Sequence, residues 1–200
     1  MIEQIGQICG ISTSDMDAVY AFGSRVYGTY NGKSDYDFIV VSAVARDGET
    51  ISRGKLNLHL YTPDKFQENL SRHKVVPIEC YFAPVIHRLV DRKNFNIKLD
   101  LKKLRSEFSE KSSNSWVKGK KKLEVEHDFY IGKKSIFHSI RILIFGIQLA
   151  NHGKIVDFSE ANGFYTDIVN SNETEWAFFK EKYQPVYNNL ASEFRKVAPK

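Results

Sequence analysis

Strict alternation of apolar and polar residues marks one segment above all others. From Leu56 to Tyr61, Leu56, Leu58 and Leu60 occupy one parity, while Asn57, His59 and Tyr61 occupy the other. A period of two places each set on its own face and predicts a half-buried strand. Asp35–Ser42 (DYDFIVVS) becomes continuously apolar and β-branched after Asp37, the pattern of a buried strand. Residues 12–22 carry Ser, Thr and Asp cap candidates and then an apolar run ending at Ala21-Phe22. Between Phe22 and Asp35 lies GSRVYGTYNGKS, a turn-rich stretch with Gly23, Gly28 and Gly32, able to fold tightly and expose backbone N–H groups. Pro63 ends the alternating strand, and DKFQENLSRH after it reads as a short helix. Val75–Phe82 (VVPIECYF), with Glu79 inside it, reads as a strand or a helix entry.

Beyond residue 100 the period changes to that of helices. Ile136, Phe137, Ile140, Leu143, Ile144, Ile147 and Leu149 predict a helix or helix pair over 116–151, closed by Gly153 as a C′ residue. Trp176, Phe179, Tyr183, Tyr187, Leu190 and Phe194 predict another over 174–197. The small polar run KSSNS at 111–115 is the best candidate boundary. The layout is therefore α/β in the first half and helical in the second, divided into 1–110 and 111–200.

The 200-residue chain has ordinary globular composition, with 42% hydrophobic and 26% charged residues. Cys9 and Cys80 make no disulfide framework and no zinc-type cluster, which favours a reduced, cytoplasmic setting. The first residues, MIEQIGQICG, lack the basic then apolar pattern of a signal peptide. Ile140–Ala150, interrupted by Arg141 and Gln148, falls short of the roughly 20 apolar residues that span a bilayer, so no membrane partner is expected. Residues 1–100 hold 12 basic and 12 acidic side chains; residues 101–200 hold 17 and 12. The whole net charge of +5 thus lies in the second half, eight of its basic residues between Lys102 and Lys122, and it points either to a polyanion partner or to a solvated helix face. Phe108 and Trp116 interleave that run, as stacking platforms for bases or as anchors of the helices.

Candidate chemistry gathers before the second strand. Asp35 and Asp37 stand two apart on the expected strand, so both carboxylates project to one side, where they repel unless a hard cation such as Mg²⁺ sits between them. Backbone N–H groups at Gly23 and Ser24, with the Ser24 hydroxyl, are suited to hold phosphate nearby. A phosphate cradle beside a metal-binding carboxylate pair is the equipment of phosphoryl or nucleotidyl transfer.

The run GSRVYG(TYNGK)SDYDFIVV resembles the signature of the DNA polymerase beta-like nucleotidyltransferase superfamily over about 20 residues. The resemblance implies a small mixed-sheet core (α+β), a nucleoside triphosphate such as ATP as donor, and Mg²⁺ or Mn²⁺ as cofactor. It assigns Asp35 and Asp37 to the metal, and Gly23, Ser24, Arg25 and Ser34 to the nucleotide. The family carries a third carboxylate on a later strand, where this chain has Asn57. An amide adds no charge and is no base. Three explanations stand: a substitution that traps a complex, a substitute carboxylate (Glu79 before Asp64), or nucleotide binding without turnover. His59, on the face of Asn57, either lines the pocket or is structural.

Lys134, His138 and Arg141 share one helix face at i, i+4 and i+7, with Ile140, Leu143, Ile144 and Ile147 facing the core. Such a stripe suits a triphosphate or an RNA backbone, and its pattern resembles the helical half of RNA-repair-associated members. The expected activity is transfer of a nucleoside monophosphate to a hydroxyl on RNA, such as tRNA or a broken end. The alternatives are a protein-modifying transferase of toxin or antitoxin type and a disabled nucleotide or RNA sensor.

Overall fold

A computed structural model describes residues 1–199, which divide into two compact units, residues 1–98 and residues 99–199. The first unit begins with helix α1 (Ile2–Cys9) and continues through strand β1 (Met16–Phe22) and a single helical turn, α2 (Ser24–Tyr27). Strands β2 (Tyr36–Ser42), β3 (Thr50–Arg53) and β4 (Leu56–Tyr61) follow. Helices α3 (Pro63–Ser71) and α4 (Val75–Phe82) then lead to the edge strand β5 (Arg88–Asp91). The sheet has the order β3-β4-β2-β1-β5, with β2 and β4 parallel and every other neighbouring pair antiparallel. It is the mixed sheet of an α+β core.

The alternation in β4 does what its period requires. Leu56, Leu58 and Leu60 are buried, and Asn57, His59 and Tyr61 are half-buried on the other face. Thr62 caps α3 by accepting from the Lys65 N–H at 3.3 Å, and Pro63 occupies the first helical position, where its missing N–H costs nothing. Val75–Phe82 is a helix. An aperiodic apolar run does not separate strand from buried helix, and Pro77 is tolerated because the amides of the first turn have no intrahelical acceptor.

The second unit is helical: α5 (Leu101–Glu124), α6 (Phe129–His152), α7 (Asn162–Val169) and α8 (Trp176–Val197). The boundary expected at 111–115 is overturned, because α5 runs through it without interruption. Small polar residues there serve close helix packing. Ser112 is fully buried and its hydroxyl donates to the Ser139 carbonyl of α6 at 2.7 Å. One turn pair further on, a Cβ at Gly119 would lie 2.8 Å from the Ile136 side chain. Only small side chains let α5 and α6 run antiparallel at this distance. Of the helix or helix pair expected over 116–151, the pair is what forms: α5 gives way to α6 across residues 125–128, where Asp128 caps α6 through the Ile131 N–H at 3.2 Å.

Helix α6 is the centre of this unit, lined by α5, α7 and α8. Gly146 meets the Phe194 ring of α8, and Phe137 meets Tyr165 of α7 edge-on at 5.2 Å. Gln148, a polar interruption in the apolar run, is buried and latches the segment beyond the helix. Its amide oxygen accepts from the N–H groups of Val156 and Asp157 at 2.7 and 2.9 Å, and its nitrogen donates to the Asp157 carbonyl at 2.9 Å. Gly153 ends α6 in the left-handed conformation, as expected. Trp116 stacks on Tyr187 at 4.9 Å and meets Trp176 edge-on at 5.2 Å, and Phe108 is fully buried, so both anchor helices and neither offers a platform for bases. No helix among the described residues is long and apolar enough to cross a membrane.

Burial of Ser112 beside exposed Ser113 yields a test of the continuous helix. Ser112→Leu overpacks the α5–α6 contact and is expected to cost about 1–3 kcal/mol in urea unfolding, against less than about 0.5 kcal/mol for Ser113→Leu. Equal, small effects would restore the boundary.

Candidate active site

Backbone register assembles the first unit's site. Phe22 of β1 pairs with Asp37 of β2, and Asp37 pairs with Asn57 of β4. The last residues of β1 and the first of β2 and β4 therefore stand in one row at one end of the sheet. Immediately after Phe22 the chain turns at Gly23, with φ +78° and ψ −155°, a conformation that belongs essentially to glycine. A Cβ there would lie 2.7 Å from Asp37 Oδ2. The main chain thus passes directly against the carboxylate, an approach only glycine permits. The other Asp37 oxygen, Oδ1, accepts from Asn57 Nδ2 at 3.1 Å.

Gly23 also opens α2. Its carbonyl accepts from the Val26 and Tyr27 N–H groups at 3.0 and 3.2 Å, so the first free amides of that turn belong to Ser24 and Arg25. Asp35 is exposed and just precedes β2, whereas half-buried Asp37 lies within it. Arg25 braces the loop between them. Its Nε donates to the Asp35 carbonyl at 3.1 Å, one Nη donates to the Ser34 carbonyl at 3.0 Å, and its guanidinium carbon sits 3.4 Å from the Tyr36 ring centroid. Arg25, expected as a phosphate contact, is thus spent largely on holding its own loop. Ser34 closes the tip, its hydroxyl accepting from the Asn31 N–H at 2.9 Å, and Lys55 Nζ ties that tip to β4 through the Gly32 carbonyl at 2.5 Å.

Other candidates separate from this row. Glu79, the leading substitute carboxylate, is buried on α4 and accepts a hydrogen bond from Tyr27, while Asp64 is exposed in the first turn of α3. Among the described residues no three His, Cys, Asp or Glu side chains stand close enough to hold one metal ion, so Glu79 does not complete a triad with Asp35 and Asp37. His59 shares the β4 face of Asn57, contacts Thr50 Oγ1 at 3.3 Å through Nδ1, and meets Phe22 edge-on at 5.4 Å. Burial lowers its affinity for a proton, with the Asp37 charge pulling the other way.

Lys134, His138 and Arg141 belong to the second unit. The open basic face expected of them is corrected, because α6 is enclosed on nearly all sides and Arg141 is only 5% exposed. Arg141 Nε donates to His138 Nδ1 at 3.4 Å, its guanidinium packs 4.9 Å from the Phe145 centroid, and Lys134 Nζ lies 5.3 Å from the Tyr130 centroid. Burial, then the charges of Arg141, Lys134, Lys118 and Lys111, hold the His138 imidazole well below its ordinary value. Lys111 and Lys118 were visible as an i, i+7 pair, but reading 111–115 as a boundary hid the helix that joins them.

Two expectations follow. Gly23→Ala combines a forbidden backbone angle with a clash at Asp37 and is expected to cost about 1–3 kcal/mol in chemical unfolding; a neutral substitution would contradict the geometry. His138 is neutral when folded, so between its lowered folded value and the ordinary 6.5 the unfolded chain binds a proton that the folded chain refuses. That stability is present above pH 6.5 and lost as pH falls below it. His138→Gln is expected to flatten the acid limb of the stability curve by at most about 1.4 kcal/mol per pH unit. Parallel curves for variant and parent would refute the assignment.

Comparison with known proteins rests on the same segment. Residues 11–104 match the family model described as a nucleotidyltransferase domain, a span that starts after α1 and takes in β1 to β5. No curated protein matches the chain. The glycine turn packed on the first carboxylate strand and the mixed sheet behind it agree with that match, and residues 11–104 are a nucleotidyltransferase domain of the polymerase beta-like superfamily.

Proposed function

We propose that the chain transfers a nucleoside monophosphate from a nucleoside triphosphate to a hydroxyl group on RNA, in a metal-dependent reaction. The observation that carries this reading is the row formed by Gly23, Asp37 and Asn57, with the Gly23 main chain against one oxygen of Asp37. Asp35 and Asp37 provide two hard oxygen donors, and Asn57 can add an amide oxygen if its side chain turns over. This set suits Mg²⁺ or Mn²⁺, which when bound would offset negative charge developing on the phosphates. Gly23 and Ser24 would orient the terminal phosphates through the free amides at the start of α2, with the Ser24 hydroxyl beside them. Arg25 acts as a positioning residue, fixing Ser34 and Asp35 at the mouth of β2.

In the transfer itself, the acceptor oxygen bonds to the α-phosphorus. The bond to the bridging oxygen breaks, and pyrophosphate leaves with the electron pair. The acceptor proton must go elsewhere. A carboxylate at position 57 would take it, whereas the Asn57 amide leaves it to solvent. The basic second unit favours RNA as the acceptor, with Lys134 and Arg141 among its cations and the neutral His138 beside Arg141. Asn57 also favours a second reading, in which the chain binds nucleotide and senses it without turnover.

One assay tests both readings. The chain, its Asn57→Asp variant and its Asp37→Ala variant are incubated with each α-labelled nucleoside triphosphate, Mg²⁺ or Mn²⁺, and a pool of small RNAs. Transfer to RNA is expected to rise about 10²–10⁴-fold in Asn57→Asp, the range for a gained general base, and to vanish in Asp37→Ala. Nucleotide binding with no transfer from either the parent or Asn57→Asp would establish the sensor. Label on protein in place of RNA would assign a protein-modifying transferase.

A further inference from the structure

Helix α2 is a single turn of four residues with a glycine at positive φ on either side, Gly23 at +78° and Gly28 at +79°. So short a helix has little stability of its own, and its glycine flanks leave its direction weakly determined by the local backbone. Yet its start must stay in place beside Asp37, against which the Gly23 main chain is packed. Contacts from outside the turn have to hold it. Its buried members are Val26 and Tyr27, and the Tyr27 hydroxyl donates to Glu79 Oε2 on α4, 52 residues away.

Glu79 is 1% exposed and lies between the fully buried Ile78 and Cys80. A carboxyl group in such surroundings is costly unless it is hydrogen-bonded, and an apolar pair would fill the same space without that cost. What the polar pair adds is direction. The helix that carries Glu79 is itself fixed. α4 lies against β1, and Arg88 of β5 donates to carbonyls at its C-terminal end, from Nη to Tyr81 at 2.9 Å and from Nε to Ala83 at 2.8 Å. β5 in turn pairs with β1, the strand that leads into Gly23. A closed circuit therefore runs from β1 through β5, Arg88, α4, Glu79 and Tyr27 back to α2.

We propose that Glu79 is a positioning residue of the first unit's site: through Tyr27 it sets the direction in which α2 leaves β1, and so holds the Gly23 main chain against Asp37. The side chain expected as a substitute metal ligand acts instead from behind the site, on the backbone that shapes it. The inference deepens the proposed nucleotide site and rests on that reading for its effect on affinity, whereas the ordering of α2 is a property of the chain alone.

The test compares the full chain with Glu79→Gln and with the double variant Tyr27→Phe/Glu79→Leu. Three properties are measured: amide hydrogen exchange without nucleotide, urea unfolding, and calorimetric titration of a non-hydrolysable nucleoside triphosphate with Mg²⁺. Glu79→Gln keeps an acceptor for the Tyr27 hydroxyl and is expected to match the parent in exchange and affinity. The double variant replaces the polar pair by apolar groups and is expected to unfold at a urea concentration near that of the parent. Its Val26 and Thr29 amides, which donate to the Gly23 and Ser24 carbonyls, are nevertheless expected to exchange about tenfold faster, the factor for one lost hydrogen bond, while exchange in β1 and β2 keeps the parent's rate. Nucleotide affinity is expected to fall by a similar factor of about ten. Parent-like exchange and affinity in the double variant would overturn the proposal. Faster exchange throughout the first unit, with affinity falling only in step with stability, would overturn it in favour of an ordinary core contact. A Glu79→Gln protein as impaired as the double variant would overturn it too, since the acceptor is retained. Selective loosening of α2 in the double variant, with no nucleotide bound even by the parent, would refute the nucleotide reading and leave the hold of Glu79 on α2 standing.

Discussion

The close approach of the Gly23 main chain to the Asp37 carboxylate is the constraint around which the first unit is arranged. A backbone turn that no side chain can enter is forced to sit where β1 ends, because Phe22 is hydrogen-bonded in register with Asp37. The same register that fixes β1 on β2 fixes β2 on β4, so Asn57 arrives on the far side of the same carboxylate. Slippage of either strand by one residue would carry Asp37 to the opposite face of the sheet and dissolve the row. Burial of Val19, Phe38, Val40, Leu58 and Leu60 makes such a slip costly, so the apolar face of the sheet also holds the polar end in place.

Around this row, charge is organised by main-chain groups more than by ion pairs. Arg25 spends its donors on the carbonyls of Ser34 and Asp35, and Lys55 on that of Gly32. The loop carrying Asp35 is thereby stiffened without neutralising either carboxylate, which leaves both free to take a cation or a substrate. The second unit uses the complementary arrangement. There burial, and then the charges of Arg141, Lys134, Lys118 and Lys111, hold the His138 imidazole well below its ordinary value.

Legibility from sequence followed the range of the interactions. Strand β4 was readable to the residue because its period is local, and the glycine turn with Asp35 and Asp37 was readable because motif and strand adjoin in the chain. β5 was not, since its four residues gain their strand conformation only from pairing with β1. The Ser-rich run in α5 reads as a linker on composition alone; that Ser112 is a contact surface depends on Ser139, 27 residues away. The internal partners of Arg25 and Glu79 were hidden for the same reason. Their partners, the Ser34 and Asp35 carbonyls and the Tyr27 hydroxyl, are set by tertiary placement and not by spacing.

The central claim is that Asp37, held by Gly23 and facing Asn57, is the anchor of a metal-bound nucleotide. It is tested most directly by calorimetric titration of a non-hydrolysable nucleoside triphosphate into the chain and into Asp37→Asn, each with Mg²⁺ and with chelator. Asp37→Asn keeps the shape of the side chain and removes its charge. Binding that requires Mg²⁺ in the parent and is lost in Asp37→Asn is the predicted result. Equal affinity in the two proteins, or binding indifferent to Mg²⁺, would contradict it.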